Sequence, residues 1–330
     1  MNLKYLLSFG LLIQLTSCAP SLDKSGFSVN EDALKEMNVI DGEIVIERKT
    51  KAARSVIAVE LIDKDRKVIT YCTGVLIGAN TILTAAHCFN DQLVPGVTGF
   101  NVVFETRTKF MKEPVRRIGF EYVQHPQFNT ATREWVLEDG KYIDPKLHPE
   151  FKTNRVKIFA GLQNDHDFAV GVFKGSIPQG FETVEIDQDA NANYAGKSIY
   201  FYGYGRAVDY LDTNGKYDTS TGQLRKGTAT IDVDYPNTED RYFTSRKSKN
   251  SLCQGDSGGP QFFNEGGVLK VIGINSAVSV DEDSKRVDPS IASGDMISCR
   301  GRSQVAKVSA YADWILKVQA RLIKDLKESK

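Results

Sequence analysis

Short apolar runs punctuated by glycine, proline, asparagine and aspartate recur along this chain of 330 residues. Residues 55–62, 68–77, 100–106, 198–204, 228–233 and 268–275 are such runs, rich in β-branched and aromatic side chains. They predict strands, and their spacing argues for antiparallel barrels over alternating strand–helix units. The apolar stretch 75–83 reads as two short strands joined by the turn Gly78-Ala79-Asn80. A different period governs the tail. Within residues 309–330, Tyr311, Trp314, Ile315, Val318, Leu322, Ile323 and Leu326 recur at three- and four-residue intervals, which makes one face of a helix apolar. That face predicts packing against a core, with a membrane-surface helix as the alternative.

Composition adds little to this picture. Hydrophobic residues make up 41% and charged residues 25%, an ordinary globular balance with ample core. The 42 basic and 42 acidic side chains cancel, so nothing suggests a nucleic-acid surface. The N-terminus changes the picture more. Met1-Asn2-Leu3-Lys4 gives a short basic start, and residues 5–15 form an apolar segment too short for a permanent membrane span. Residues 1–17 therefore read as an export signal and the polar residues 18–38 as a tether or propeptide. The signal ends in Leu15-Thr16-Ser17-Cys18, which resembles a bacterial lipoprotein box. By that resemblance Cys18 carries lipid and anchors the protein in the cell envelope, in the periplasm or on the outer surface. An ordinary cleaved signal with an incidental cysteine, giving a secreted product, is the other reading. Five cysteines are an odd number, and a lipidated Cys18 leaves four to pair.

The stretch that points to chemistry is Gly255-Asp256-Ser257-Gly258-Gly259-Pro260. A serine hydroxyl becomes a useful nucleophile only with a base in hydrogen-bond reach and donors aimed at the developing oxyanion. Glycines on both sides let the chain bend sharply and a substrate carbonyl come close. The same spacing describes the nucleophile elbow of α/β-hydrolases, whose histidine follows the serine. Here all four histidines, His87, His125, His148 and His166, precede Ser257, which excludes the elbow and disfavours an esterase or lipase. His87 lies in Thr84-Ala85-Ala86-His87-Cys88, just past the paired strands, where small residues let another element pack closely. The other three read as surface or satisfied core side chains.

Together, Thr84-Ala85-Ala86-His87-Cys88 and Gly255-Asp256-Ser257-Gly258-Gly259-Pro260 resemble the chymotrypsin/trypsin family of serine endopeptidases. The resemblance covers most of residues 39–315. It implies an all-β fold of two packed six-stranded antiparallel Greek-key barrels, residues 39–185 and 186–330, with a C-terminal helix on the second. It also implies the chain order His, Asp, Ser, and Asn164-Asp165-His166-Asp167-Phe168-Ala169-Val170 offers the aspartate. Asp167 fits because an apolar-Ala-apolar triplet follows it; Asp165 is the runner-up. In this scheme Ser257 attacks the scissile carbonyl, His87 moves the proton and Asp167 orients the imidazole. The backbone N–H groups of Gly255 and Ser257 form the oxyanion hole. Ser276 lies beside the aspartate, or is an ordinary strand hydroxyl. The family pattern further implies the bridges Cys72–Cys88 and Cys253–Cys299, the second framing the primary specificity pocket. An oxidising compartment suits both.

Val39-Ile40-Asp41-Gly42 resembles the N-terminus that the family frees by cutting off a propeptide. The Val39 ammonium would then pair with the buried carboxylate of Asp256 and order the pocket. Asn38 departs from the usual basic residue before the cut, which implies an activating protease of unusual specificity, slow self-processing, or a chain that stays a zymogen. The pocket floor, six residues before Ser257, is Ser251 rather than aspartate, and Val278 stands where large pockets carry glycine. Protein or peptide substrates with a small or medium apolar residue before the scissile bond are implied, and no cofactor or metal. Two segments depart from the family. His87 and Asp167 are 80 positions apart, with the excess expected at residues 129–147, and an acidic insertion at 279–297 reads as a solvated loop or as a rim of the pocket. The rival class is a non-catalytic homologue acting as a surface binding module, disfavoured by the joint presence of His87, Asp167, Ser257 and Gly255.

Overall fold

In the computed structural model every residue of the mainly apolar run Val56–Ile62 is buried, including Glu60, whose carboxylate pairs with Arg116 at 2.7 Å. The structure describes residues 42–108, 113–138, 141–143, 157–207, 221–234, 240–245, 247–281, 299 and 301–329. The expected signal and tether, Cys18, Val39, His148 and most of the 279–297 insertion lie outside the described residues.

Strand β1 (Glu43–Ile44) leads to a short helix, α1 (Lys51–Ser55), whose first turn is capped by the Thr50 hydroxyl accepting from the Ala53 N–H. Then come β2 (Val56–Ile62), β3 (Val68–Gly78), β4 (Thr81–Thr84), β5 (Gly99–Val103) and β6 (Arg116–Gln124). A hairpin and a return strand follow, β7 (Asn129–Glu138), β8 (Lys141–Ile143) and β9 (Lys157–Asp165), before β10 (Ala169–Phe173). A short strand, β11 (Glu185–Ile186), precedes β12 (Ser198–Gly203), β13 (Arg225–Asp234), β14 (Arg241–Thr244), β15 (Pro260–Glu265), β16 (Val268–Asp281) and β17 (Arg302–Lys307). Helix α2 (Ala312–Glu328) ends the described chain.

Strands β2–β6 and β10 close one antiparallel barrel, and β12–β17 close a second. With strands numbered one to six within each barrel, both run in the order 6-3-2-1-4-5, so the second barrel repeats the Greek key of the first. The expectation of two six-stranded antiparallel barrels with a C-terminal helix holds. The strands between the sequence-legible runs, β6, β10, β14 and β17 among them, complete each closure.

Two features differ from the sequence reading. The added segment lies within the stretch assigned to the first barrel, yet it extends the sheet of the second. Strand β15 leaves β16 at Ile274, and β9 takes the edge so exposed, with Gly161 opposite Ser279; β7 then pairs along β9. An unpaired edge presents a row of free N–H and C=O groups, and an added strand satisfies them.

Helix α2 is the second correction. It packs on the first barrel, against β10 and β6, not on the second. Its apolar stripe is as expected, with Ile315, Val318, Leu322 and Leu326 buried in one cluster with β2–β6 and β10. The Gln319 side chain donates to the Ile77 carbonyl at 3.3 Å. Tyr311, just before the helix, sets its direction by packing on His125, His166 and Phe168. His125 and His166 are thus packed side chains between the helix and the barrels.

Candidate active site

Residues Ala85 and Ala86 are fully buried, and this close packing at the end of β4 lets a single 3-10 turn, Ala86–Phe89, present His87. On the neighbouring strand Ala169 lies opposite Thr84. That register carries Asp167, two residues before β10 begins, to the histidine. One carboxylate then holds His87 twice: Oδ1 accepts the His87 backbone N–H at 2.8 Å, and Oδ2 accepts from ring Nδ1 at 2.7 Å. A carboxylate only accepts, so the ring proton sits on Nδ1 and Nε2 is left as the basic nitrogen.

Asp167 is completely buried. Burial alone would push its carboxyl up, but the facing His87 and the donated hydrogen bonds outweigh it and hold the group below the usual carboxylate range. Among the donors is the Ser276 hydroxyl, 2.5 Å from Oδ2. Asp165, the other candidate, turns away and pairs with Arg241. Between them His166 takes a left-handed conformation, φ 52°, with its N–H donating to Asp240 and its ring bonded to the Tyr311 hydroxyl.

The serine arrives from the second barrel. The Thr73 N–H donates to the Ser257 carbonyl at 2.8 Å, and the Thr73 hydroxyl to that of Gly255, also at 2.8 Å. Gly258, with φ +80°, presses on the strand that leads to His87: a Cβ there would lie 2.0 Å from Thr84 Oγ1 and 2.9 Å from the Ala85 nitrogen. Gly255, φ +98°, likewise has the Gly205 Cα where a side chain would stand. Only glycine fits both places, so the turn closes on the first barrel beside the His87 loop. Among the described residues no hydrogen bond joins Ser257 Oγ to His87, and no acceptor takes the N–H of Gly255 or Ser257. Catalytic hydrogen bonds often tighten only when substrate is bound.

Behind the turn, Asp256 is completely buried and accepts from the Gly205 N–H at 2.8 Å and the Cys253 N–H at 2.9 Å. Burial pushes its carboxyl up to about 6, against the pull of those two donors and of Arg225. Disulfides join Cys72 to Cys88 beside the histidine and Cys253 to Cys299 beside the serine. Ser251 is half-buried just before Cys253, and Val278 on β16 stands opposite Ser303 of β17. Two residues of this neighbourhood escape the sequence reading. Ser303 accepts from the Leu252 N–H at 3.4 Å. Asn164 reaches the Asp167 carboxylate, and its only sequence signal is a position three residues earlier. Cys72, Cys88 and His87 are the one described cluster with metal-ligand atoms close together, but the two sulfurs are bonded to each other and Nδ1 is engaged by Asp167. That donor set does not suit a metal.

Two like barrels, with a histidine–aspartate couple on one and a glycine-flanked serine turn on the other, define the chymotrypsin-like class of two-barrel proteins. The trypsin family model matches residues 46–315, most of the chain, and the protein belongs to that family of serine proteases. No curated protein matches it in sequence.

Proposed function

We propose that this protein is an exported serine endopeptidase that cleaves peptide bonds through Ser257, His87 and Asp167. The observation that carries the reading is the double hold of the Asp167 carboxylate on His87, which fixes both ring position and tautomer. Ser257 Oγ attacks the scissile carbonyl carbon while its proton passes to His87 Nε2. The carbonyl oxygen becomes an oxyanion, met by the N–H groups of Gly255 and Ser257. The imidazolium then protonates the leaving amine as the C–N bond breaks, which leaves an acyl-enzyme. Water repeats the sequence, giving its proton to His87 and releasing the acid as Ser257 regains its hydrogen.

The environment of Asp256 supports a zymogen. A carboxyl held up to about 6 with two backbone donors is suited to receive a cation. Cleavage before Val39 supplies one, and the new ammonium pairs with Asp256 to order the serine turn. Ser251 at the pocket floor and Val278 on its wall favour a small or medium apolar residue before the scissile bond. Lipid on Cys18 holds the enzyme at the bacterial envelope.

Fluorophosphonate labelling of the protein with Val39 freed, mapped by mass spectrometry, tests the reading. An adduct on Ser257 is expected, and Ser257→Ala abolishes it and lowers kcat by about 10⁶. A mature protein that stays unlabelled is a binding module and not a protease.

A further inference from the structure

Asn164 is almost fully buried, 2% exposed, at the end of β9. Its backbone is pinned from two sides. It lies opposite Thr130 on β7, and its carbonyl accepts from the Gln304 side chain of β17 at 2.9 Å. The carboxamide Nδ2 so placed stands 3.2 Å from Asp167 Oδ2 and 3.3 Å from Ser276 Oγ. Its other end is left without a partner: Oδ1 is buried and unbonded among the described residues. A buried amide oxygen with no donor is unfavourable. Turning the amide over would set that oxygen against the Asp167 carboxylate, which is worse, so the N–H end is held toward Oδ2 by charge.

We infer that Asn164 is a positioning residue for the Asp167–His87 couple, delivering from the added β7–β9 segment a third side-chain donor to Oδ2. The inference rests on the reading of His87 and Asp167 as the working pair. With His87 Nδ1 and Ser276 already on Oδ2, the amide leaves the carboxylate no freedom to rotate and spreads its charge. Removing it loosens the couple and concentrates negative charge toward the imidazole, which favours the imidazolium.

The test compares Asn164→Leu with the isosteric Asn164→Asp in the mature, full-length protein. For Asn164→Leu, kcat falls about tenfold with KM unchanged, part of the roughly 10²-fold loss that a misplacement of about 1 Å can cause. The acid limb of its pH–rate profile moves to higher pH. Asn164→Asp recovers activity relative to the leucine variant at mildly acid pH, where a protonated carboxyl can donate as the amide does. It loses that advantage as pH rises and two carboxylates face each other. The downfield proton resonance of His87 Nδ1–H reads the couple independently of turnover and moves in Asn164→Leu. An unmoved resonance with kcat within about twofold and an unshifted profile overturns the inference. Unaltered mature protein that fails to label on Ser257, together with a resonance that still moves in the variant, overturns the protease reading and leaves the positioning role standing.

Discussion

The Asp167 loop and the Asp256 turn each bury an aspartate completely, and the two carboxyls are shifted in opposite directions from their ordinary value. Burial acts upward on both. At Asp167 it is outweighed by a facing histidine and by hydroxyl and backbone donors drawn from both barrels. At Asp256, among the described residues, two backbone N–H groups donate, with Arg225 pulling from further off, and burial wins. The lesson is that exposure does not set the charge state of a buried acid. The number and sign of its partners do.

The largest effect comes from breaking the satisfied member. Asp167→Asn should leave the fold intact and lower kcat by about 10⁴, because an amide cannot accept the Nδ1 proton and at the same time keep its companion donors. Steady-state kinetics on mature protein checks this, and a loss below tenfold would remove Asp167 from the mechanism. Breaking the other member should depend on the N-terminus. In cleaved protein Asp256→Ala strands a buried ammonium and costs about 3–5 kcal/mol, whereas in the uncleaved chain the loss is much smaller. Urea unfolding of both forms measures the difference, and equal losses would sink the proposed pairing with Val39.

The comparison also has a pH signature. The raised Asp256 carboxyl stabilises the uncleaved fold fully below the ordinary value of 3.8, and that contribution is lost as pH rises through about 6. The lowered Asp167 carboxyl stabilises above the ordinary range and loses its contribution as pH falls through its folded value. Melting temperatures of uncleaved Asp256→Ala, set against the unaltered chain from pH 4 to 7, should therefore converge as pH rises; parallel curves would contradict the shift.

A smaller test uses a third group for which burial wins. His125 is pushed down to about 4 by burial, with His166 adding to it and Asp240 opposing. Its neutral form is the native one, so stability is present above 6.5 and is lost as pH falls from 6.5 to about 4. Replacing it by phenylalanine keeps the packing against His166, Tyr311 and Trp314 and should flatten the melting temperature across that range. An equally steep acid limb in His125→Phe would place the titration elsewhere.

Much of the fold was legible along the chain. The run 55–62 became β2, the turn at 78–80 separates β3 from β4, and the stripe of the tail is the buried face of α2. These are local signals, since strand alternation and helix period are properties of neighbouring residues. Strand ends were less legible: the run 268–275 continues as β16 to Asp281, because β9 and β17 supply partners that no local pattern announces. The aspartate of the site was narrowed to two by the sequence, and the pairing of Ala169 with Thr84 brings Asp167 to His87 while Asp165 meets Arg241.

By itself, then, the sequence determined the all-β class, the helical tail and the residue types of a serine-hydrolase site, including the order that excludes an elbow with a downstream histidine. Those follow from short-range periodicity and from chemistry that few side chains can perform. Only the tertiary structure decided that α2 lies on the first barrel, that residues 129–138 extend the sheet of the second, that Asn164 reaches Asp167, and that two buried aspartates are shifted in opposite directions. Each of these depends on groups far apart in the chain meeting at one point. Hydrogen-bond satisfaction and desolvation act on that meeting, and a local sequence pattern carries no trace of either.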